Sequence, residues 1–313
     1  MPHAYADYSS ILERLRWESG PASIPKPDEV TSILQNVQRN LEEYEKEIHE
    51  LPESGRSFLV EQRNHLGEIM LQAQSLLSPI RKIPDEILQR VFDDCCENNY
   101  FEFDANQSTS GLATPAAEDT PALVLSSVCS RWRRIALSLP SIWSRISFRY
   151  KAPYNHEDED EPVARDQLIS KAFANILTRS QQWPLSVTII ITGESYEESN
   201  QHKCHPLSTL VREYPRWRTF RFWNRYGYWS IRELFAYSGI PLEDLGQFHK
   251  LVEIELPISS EMPSFTMNIF VHRTPNLRRL ILDSSPSTAF PWTQLAHLAL
   301  VLDNTVHRSF REV

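Results

Sequence analysis

The residues of this chain that could bind a metal or react are four cysteines and a short histidine cluster. His202 and His205 flank Cys204 in the sequence HKCH. These ligands are too close together to surround a tetrahedral zinc ion, and no second pair follows at zinc-finger spacing. The cysteines also lack a CxxC spacing, so we expect reduced thiols, no metal and no cofactor. The four cysteines are Cys95, Cys96, Cys129 and Cys204.

Glycine usage argues against the common catalytic and phosphate-binding loops. The chain has eight glycines, and the two closest are Gly239 and Gly246. This spacing excludes GxGxxG, GxxxxGK[ST] and GxSxG, which supply dinucleotide-binding loops, phosphate-binding loops and nucleophile elbows. The sequence therefore does not predict an enzyme.

An arginine-rich aromatic run, residues 216–229, could bind nucleic acid. Its arginines could contact phosphates while its aromatic rings stack on bases. However, Trp217, Phe220 and Phe222 have the spacing of a buried strand face. The net charge of −9 and the pI near 5.6 also give the whole chain no attraction for nucleic acid or anionic membranes. We therefore expect neither partner.

The elements that must position any site begin with helices. Apolar residues recur every three or four positions from Val30 to Ile48 and again from Phe58 to Leu77, on either side of a Pro- and Gly-containing break at 51–55. A coiled-coil dimerisation arm and an intramolecular hairpin both fit this pattern. The hairpin is favoured, because each helix is near or below the three to four heptads of a stable coiled coil.

Further elements follow along the chain. Pro84 and Asp85 predict a helix start, residues 98–121 read as a loop, and the helical period returns from Leu125 to Leu139. Pro140 ends that helix and a short extended segment follows. The acidic stretch 155–162 predicts a solvated linker. A helix at 166–180 and a strand at 184–192 come next.

The last hundred residues repeat an apolar-x-x-apolar-x-apolar pattern, which is the strand signature of a leucine-rich repeat. We therefore expect an α+β or α/β chain: a helical hairpin (1–79) and a helical unit (80–150), followed by an irregular leucine-rich-repeat solenoid (151–313). Few residues follow Leu300, so we expect a short or truncated solenoid. The repeats start at Trp217, Leu251, Leu277 and Leu295.

Residues between the apolar strand positions point to the opposite face of a strand. Their mixed charge suits a protein or peptide target, although ordinary solvated strand residues explain the pattern equally well. The predicted target-binding residues are Arg221, Glu253, Glu255, Arg279 and His297.

Two segments resemble the F-box. The sequence IPDEILQRVF from Ile83 resembles its Leu-Pro-x-Glu start and apolar helix. VCSRWRR from Val128 resembles its Val-Cys-(Lys/Arg)-x-Trp helix, which closes near Trp143. Ile83 replaces the usual leucine, and a long insertion separates the two halves. With the upstream helices and the downstream repeats, the chain is similar to F-box proteins that are expanded in mushroom-forming fungi.

The resemblance implies a non-catalytic substrate receptor of an SCF-type ubiquitin ligase. Its F-box would dock on a Skp-type adaptor, which bridges to a cullin, and the repeats would hold a target protein. Core packing alone is the alternative for the motif residues, and an interaction scaffold outside a ligase is the alternative function. Arg131, Arg133 and Arg134 are expected at the solvent or adaptor rim. The residues in adaptor-binding positions are Ile83, Pro84, Ile87, Leu88, Val128, Cys129 and Trp132.

Two absences in the sequence bear on location. The first ten residues lack the basic start and apolar run of a signal peptide. The apolar stretches are also far shorter than the roughly 20 residues of a membrane helix. We expect a cytoplasmic or nuclear protein.

Overall fold

The computed structural model describes seven stretches of the chain. It divides into two compact units, Met1–Val91 with Leu125–Ala136 and Phe92–Val124 with Leu137–Val313. Each unit is treated separately below. The described stretches are residues 27–104, 120–151, 163–192, 204–224, 229–256, 272–282 and 292–300.

The N-terminal helices form an intramolecular hairpin. Helix α1, Pro27–Glu50, and helix α2, Arg56–Leu76, are joined by a 3-10 turn at Glu53–Gly55. Val30 at the start of α1 packs with Ala73 and Leu76 at the end of α2, so the helices run antiparallel. Within the described residues, the apolar stripes of α1 and α2 cover each other, as the hairpin interpretation predicts.

Short helices carry the two halves of the F-box-like motif, residues 83–95 and 121–143, which are called the F-box-like segment below. Helix α3, Asp85–Cys95, starts where the sequence predicted, since Asp85 and Glu86 occupy its positive end. The helical period between Leu125 and Leu139 divides into two helices separated by one residue. They are α4, Pro121–Val128, and α5, Ser130–Leu137, and α6, Pro140–Trp143, follows them.

A parallel sheet organises the second unit. Within the described residues it has seven strands, each paired in parallel with the next one along the chain. The strands are β1 Asn99–Asp104, β2 Arg145–Lys151, β3 Leu185–Thr192, β4 Trp217–Asn224, β5 Glu253–Leu256, β6 Arg279–Leu282 and β7 His297–Leu300. The helices that lie between them from β2 onward are α7 Val163–Arg179, α8 His205–Arg212 and α9 Ile231–Tyr237.

The expected irregular leucine-rich-repeat solenoid is wrong. The four repeated segments contribute strands β4 to β7, but these continue one α/β sheet that already contains β1, β2 and β3. Register binds the two sets together: Val187 of β3 pairs with Phe220 of β4. The repeat pattern identified buried strands, and buried strands of that kind are shared by all parallel α/β sheets.

The loop predicted at 98–121 is also wrong in part. Asn99–Asp104 forms strand β1, in which Phe101 and Phe103 are buried while Tyr100 and Glu102 are exposed. The polar and proline-containing residues around these six positions favour a loop. The alternation of buried and exposed side chains over six residues was too short to predict a strand against them. Pro121 belongs to α4, and residues 105–119 lie outside the described stretches.

The two faces of the sheet differ in chemistry. On one face, Phe173 of α7 packs edge-on against Phe101 and Phe148, and Phe235 of α9 lies against Trp217. The side chains of β3 alternate between fully buried and partly exposed. The partly exposed ones, which include Ser186 and Thr188, lie on the other face. The helices thus cover the apolar face, and the polar face keeps access to solvent.

Candidate functional site

Helix α3 presents two apolar faces, and one of them points to solvent. Leu88 and Phe92 are buried. Ile87 and Val91, one helical turn apart, are 45% and 43% exposed. Exposed single apolar residues are common on proteins, but two on consecutive turns form a stripe. Exposed Pro84, just before α3, extends it.

The second motif half adds exposed apolar surface at the junction of α4 and α5. Val128 is 57% exposed, and the neighbouring Cys129 is exposed as a free thiol. Pro84, Ile87, Val91, Val128 and Cys129 are called the docking face below. Among the other predicted adaptor-binding residues, Ile83 and Trp132 are half-buried, and buried Leu88 supports α3 from the interior.

Arg131 joins the two motif halves. Its guanidinium donates to the Asp85 carboxylate from Nε at 2.9 Å and from Nη2 at 2.6 Å. It also donates to the backbone carbonyls of Arg81, at 3.1 Å, and Ile83. One buried side chain therefore ties the first turn of α5 to the segment that leads into α3. The spatial pairing of the halves, which the resemblance assumed, exists in the structure.

The expectation that Arg131 lies at the rim is wrong, because its side chain is only 5% exposed. Arg134 fits the rim: its side chain is 61% exposed and reaches the same Asp85 carboxylate at 3.4 Å. Arg133 is exposed as well. Motif position alone could not separate these arginines. The helical spacing offered a signal, since Arg131 precedes buried Ile135 by four residues and therefore shares its face.

Electrostatics show how closely the halves approach. Partial burial lowers the pKa of Arg81, the nearby Cys129 side chain acts to raise it, and the Arg131 charge acts to lower it. Arg81 stays protonated near neutral pH, since an arginine is not deprotonated in proteins. Residues from both halves thus lie within electrostatic range of one another.

A second candidate surface occupies the polar face of the sheet in the other unit. Strand register places Arg221 beside Glu255, and Glu253 beside Arg279, which in turn pairs with His297. The five residues predicted to bind a target therefore form two adjacent rows across β4 to β7.

Ion pairs connect four of these five side chains. Arg221 Nε lies 3.0 Å from Glu255, and Arg221 Nη2 lies 3.1 Å from Glu253. Arg279 reaches the other oxygen of Glu253 at 4.0 Å. Burial raises the pKa of Glu255 above its usual value, although the Arg221 charge opposes the shift. The two arginines and two glutamates of this ion-paired group balance in charge, so the surface attracts neither acidic nor basic partners strongly.

Sequence reasoning missed a second ionic cluster on the same sheet. Lys151 Nζ lies 2.9 Å from Glu102 and 3.2 Å from Asp104, and Arg149 lies 3.5 Å from Glu102. Hydrogen bonds, first to Glu102 and then to Asp104, raise the pKa of Lys151. The signal was the alternation in β1, which would have placed both acids on the face opposite the phenylalanines.

The remaining candidates are a metal site and a membrane-spanning helix. In the stretches it describes, no group of three or more His, Cys, Asp or Glu side chains could hold a metal ion. His202 lies outside those stretches, and the backbone N–H of Cys204 donates to the Tyr237 hydroxyl at 2.6 Å. Across the same stretches, no helix combines the length and apolar character needed to cross a bilayer.

Comparison with known proteins gives no relative from which a role could be transferred. No family model, curated protein or solved structure matches this chain. The functional argument therefore depends on the two surfaces and on the motif residues.

Proposed function

We propose that this chain is a non-catalytic substrate receptor of an SCF-type ubiquitin ligase. The docking face would bind a Skp-type adaptor, which links to a cullin, and the polar face of the sheet would recruit a target protein. The role is that of a tether: it holds the target at high effective concentration near a conjugating enzyme. A cytoplasmic or nuclear location goes with this role.

The observation that carries the proposal is the exposure of Ile87, Val91 and Val128 at positions of the F-box-like motif. A segment that served only as a core would bury these side chains, as it buries Leu88. Interfaces of stable complexes have an apolar centre and a polar rim. The docking face has both, since Arg133 and Arg134 are exposed in the adjoining helix α5.

The polar face of the sheet supplies the second half of the proposal. Its arginines and carboxylates are already paired with each other, so it resembles the surface of a protein-binding site more than a phosphate-binding one. A nucleic-acid site needs an excess of positive charge. The ion-paired group of Arg221, Glu253, Glu255 and Arg279 has no such excess. The target would therefore be a protein or peptide.

Substitution of Ile87 tests the adaptor contact. In the full-length chain, Ile87→Asp places a charge in the centre of the docking face, and central contacts of an interface cost 2 kcal/mol or more when lost. We expect binding to a purified Skp-type adaptor to fall at least thirtyfold, measured by surface plasmon resonance. Circular dichroism checks that the helices and strands persist.

Leu71→Asp is the matched control. Leu71 is 64% exposed on α2, outside the docking face, and receives the same change of chemistry. It should leave adaptor affinity within twofold of the unsubstituted chain. Adaptor binding that survives Ile87→Asp would show that the contact face is wrongly assigned. A folded chain that binds no Skp-type adaptor would instead be an interaction scaffold outside any ligase.

A further inference from the structure

The docking face lies in a part of this acidic protein that has a net positive charge. Residues 79–95, which include all of helix α3, and residues 125–136 contain six basic and four acidic side chains, which gives these two segments a formal charge of +2. The whole chain carries −9. The net charge of these two segments is therefore opposite in sign to the net charge of the whole chain.

Four exposed basic side chains lie on the same helices as the docking face or next to them along the chain. Lys82 is exposed two residues before Pro84, and Arg90 is exposed one turn after Ile87 on the neighbouring side of α3. Arg133 is exposed on α5, whose first turn Arg131 fastens to the start of α3. Lys82, Arg90, Arg133 and Arg134 are called the basic rim below. Of the four acidic residues, Asp85 pairs with Arg131 and Arg134, and Asp93 pairs with Arg145. Glu86 and Asp94 are exposed on α3, so the positive charge keeps only a small excess.

This charge argues against a second copy of the chain as the occupant. A twofold-symmetric contact would place the same surface on both sides. The basic rim would then face itself, and like charges across an interface oppose association.

The apolar centre argues against nucleic acid. Ile87, Val91 and Val128 are aliphatic, so they have no ring on which a base could stack and no donor for a phosphate. Burying them requires an apolar partner surface. The occupant must therefore combine apolar side chains with negative charge.

We propose that the docking face binds an acidic protein surface with an apolar centre, and that the basic rim accelerates its association. This inference rests on the proposed function and specifies the chemistry of the adaptor partner. Rim charges act mainly on the association rate, whereas the packed centre determines the dissociation rate.

Salt dependence and charge removal test the rim. Exposed charges are screened over about 10 Å at 0.1 M salt and about 3 Å at 1 M. Between 0.05 and 0.5 M salt, we expect the association rate constant for a purified Skp-type adaptor to fall about tenfold. Combining Arg90→Gln with Arg133→Gln should lower it about three- to fivefold at 0.05 M, with the dissociation rate constant within twofold.

A matched variant separates the rim from net charge. Arg39→Gln with Lys46→Gln removes the same charge from exposed positions of α1. This pair should change the association rate constant less than 1.5-fold. An equal effect of the two double substitutions on the association rate constant would overturn the proposed role of the basic rim, because net charge alone would then explain the change.

Further outcomes distinguish this inference from the proposed function. Adaptor binding with a salt-independent association rate would overturn the acidic-partner inference and leave the proposed function standing. Absence of adaptor binding would overturn both. A double-stranded DNA probe that binds with strong salt dependence, unaffected by Ile87→Asp, would show that the region binds nucleic acid instead.

Discussion

Replacing Arg131 with alanine should destabilise the F-box-like segment selectively. The substitution removes both donors from the Asp85 carboxylate and one donor from each of two backbone carbonyls, those of Arg81 and Ile83. Removing one partner of a buried ion pair costs about 3–5 kcal/mol. Asp85 keeps 35% exposure, so water can replace part of the lost contact. We therefore expect about 3 kcal/mol.

Hydrogen exchange is the appropriate assay, because a chain of two units need not unfold in one transition. A loss of about 3 kcal/mol corresponds to roughly a hundredfold faster exchange of the hydrogen-bonded amides of α3 and α5, such as those of Leu88 and Arg133. The amides of β3, in the other unit, should exchange at an unchanged rate. Arg131→Lys should recover less than half of the protection, because an ammonium lacks the planar fork of donors.

Arg134→Ala is the matched control, since Arg134 contacts the same Asp85 carboxylate from an exposed position. Exposed ion pairs contribute about 0–1 kcal/mol, so exchange should accelerate less than fivefold. Equal acceleration by Arg131→Ala and Arg134→Ala would refute the reasoning, because burial would then have no influence on the strength of the contact.

Two further predictions concern the second unit. Asn99→Ala should lower the opening free energy of strands β1 and β2 by about 2–4 kcal/mol, measured by hydrogen exchange of their amides, because buried Asn99 donates to the carbonyls of Ile142 and Arg145 at 2.7 and 3.0 Å and accepts from Ala122 N–H; unchanged exchange rates would contradict this. Burial raises the pKa of Cys96 to about 12, so iodoacetamide at pH 8 should label Cys95 and Cys129 in the native protein and Cys96 only after denaturation. The contribution of the protonated Cys96 thiol to the free energy of unfolding should be present below about pH 9. It should be lost as the pH rises toward 12, because the unfolded chain ionises this thiol first.

Local elements could be predicted from the sequence because their signals are local. The helical hairpin follows from apolar spacing around a Pro- and Gly-containing break, and α3 follows from Pro84 and its acidic first turn. Strands β3 to β7 lie where apolar residues alternate. Each of these signals extends over fewer than 25 residues and depends on neighbours along the chain.

The fold class and part of the site depend on contacts that the sequence does not display. Strand β1 is stabilised by pairing with β2, whose residues lie more than 40 positions away. The partners of Arg131 are nearly 50 residues upstream. A single sequence carries no record of such pairings, so Arg131 was expected at the rim, and β4 to β7 were assigned to a separate solenoid.

The sequential order of the strands has a consequence for how the sheet forms. Each of the seven described strands pairs with the described strands nearest to it along the chain. Each pairing therefore closes only a moderate loop, and the entropic cost of closing a loop grows slowly with its length. Folding can then proceed by adding one strand at a time to an existing edge of the sheet. No strand pairing requires the two ends of the chain to come together. A connection between strands could also be lengthened without changing any pairing, so we expect the segments between strands to tolerate insertions better than the strands themselves.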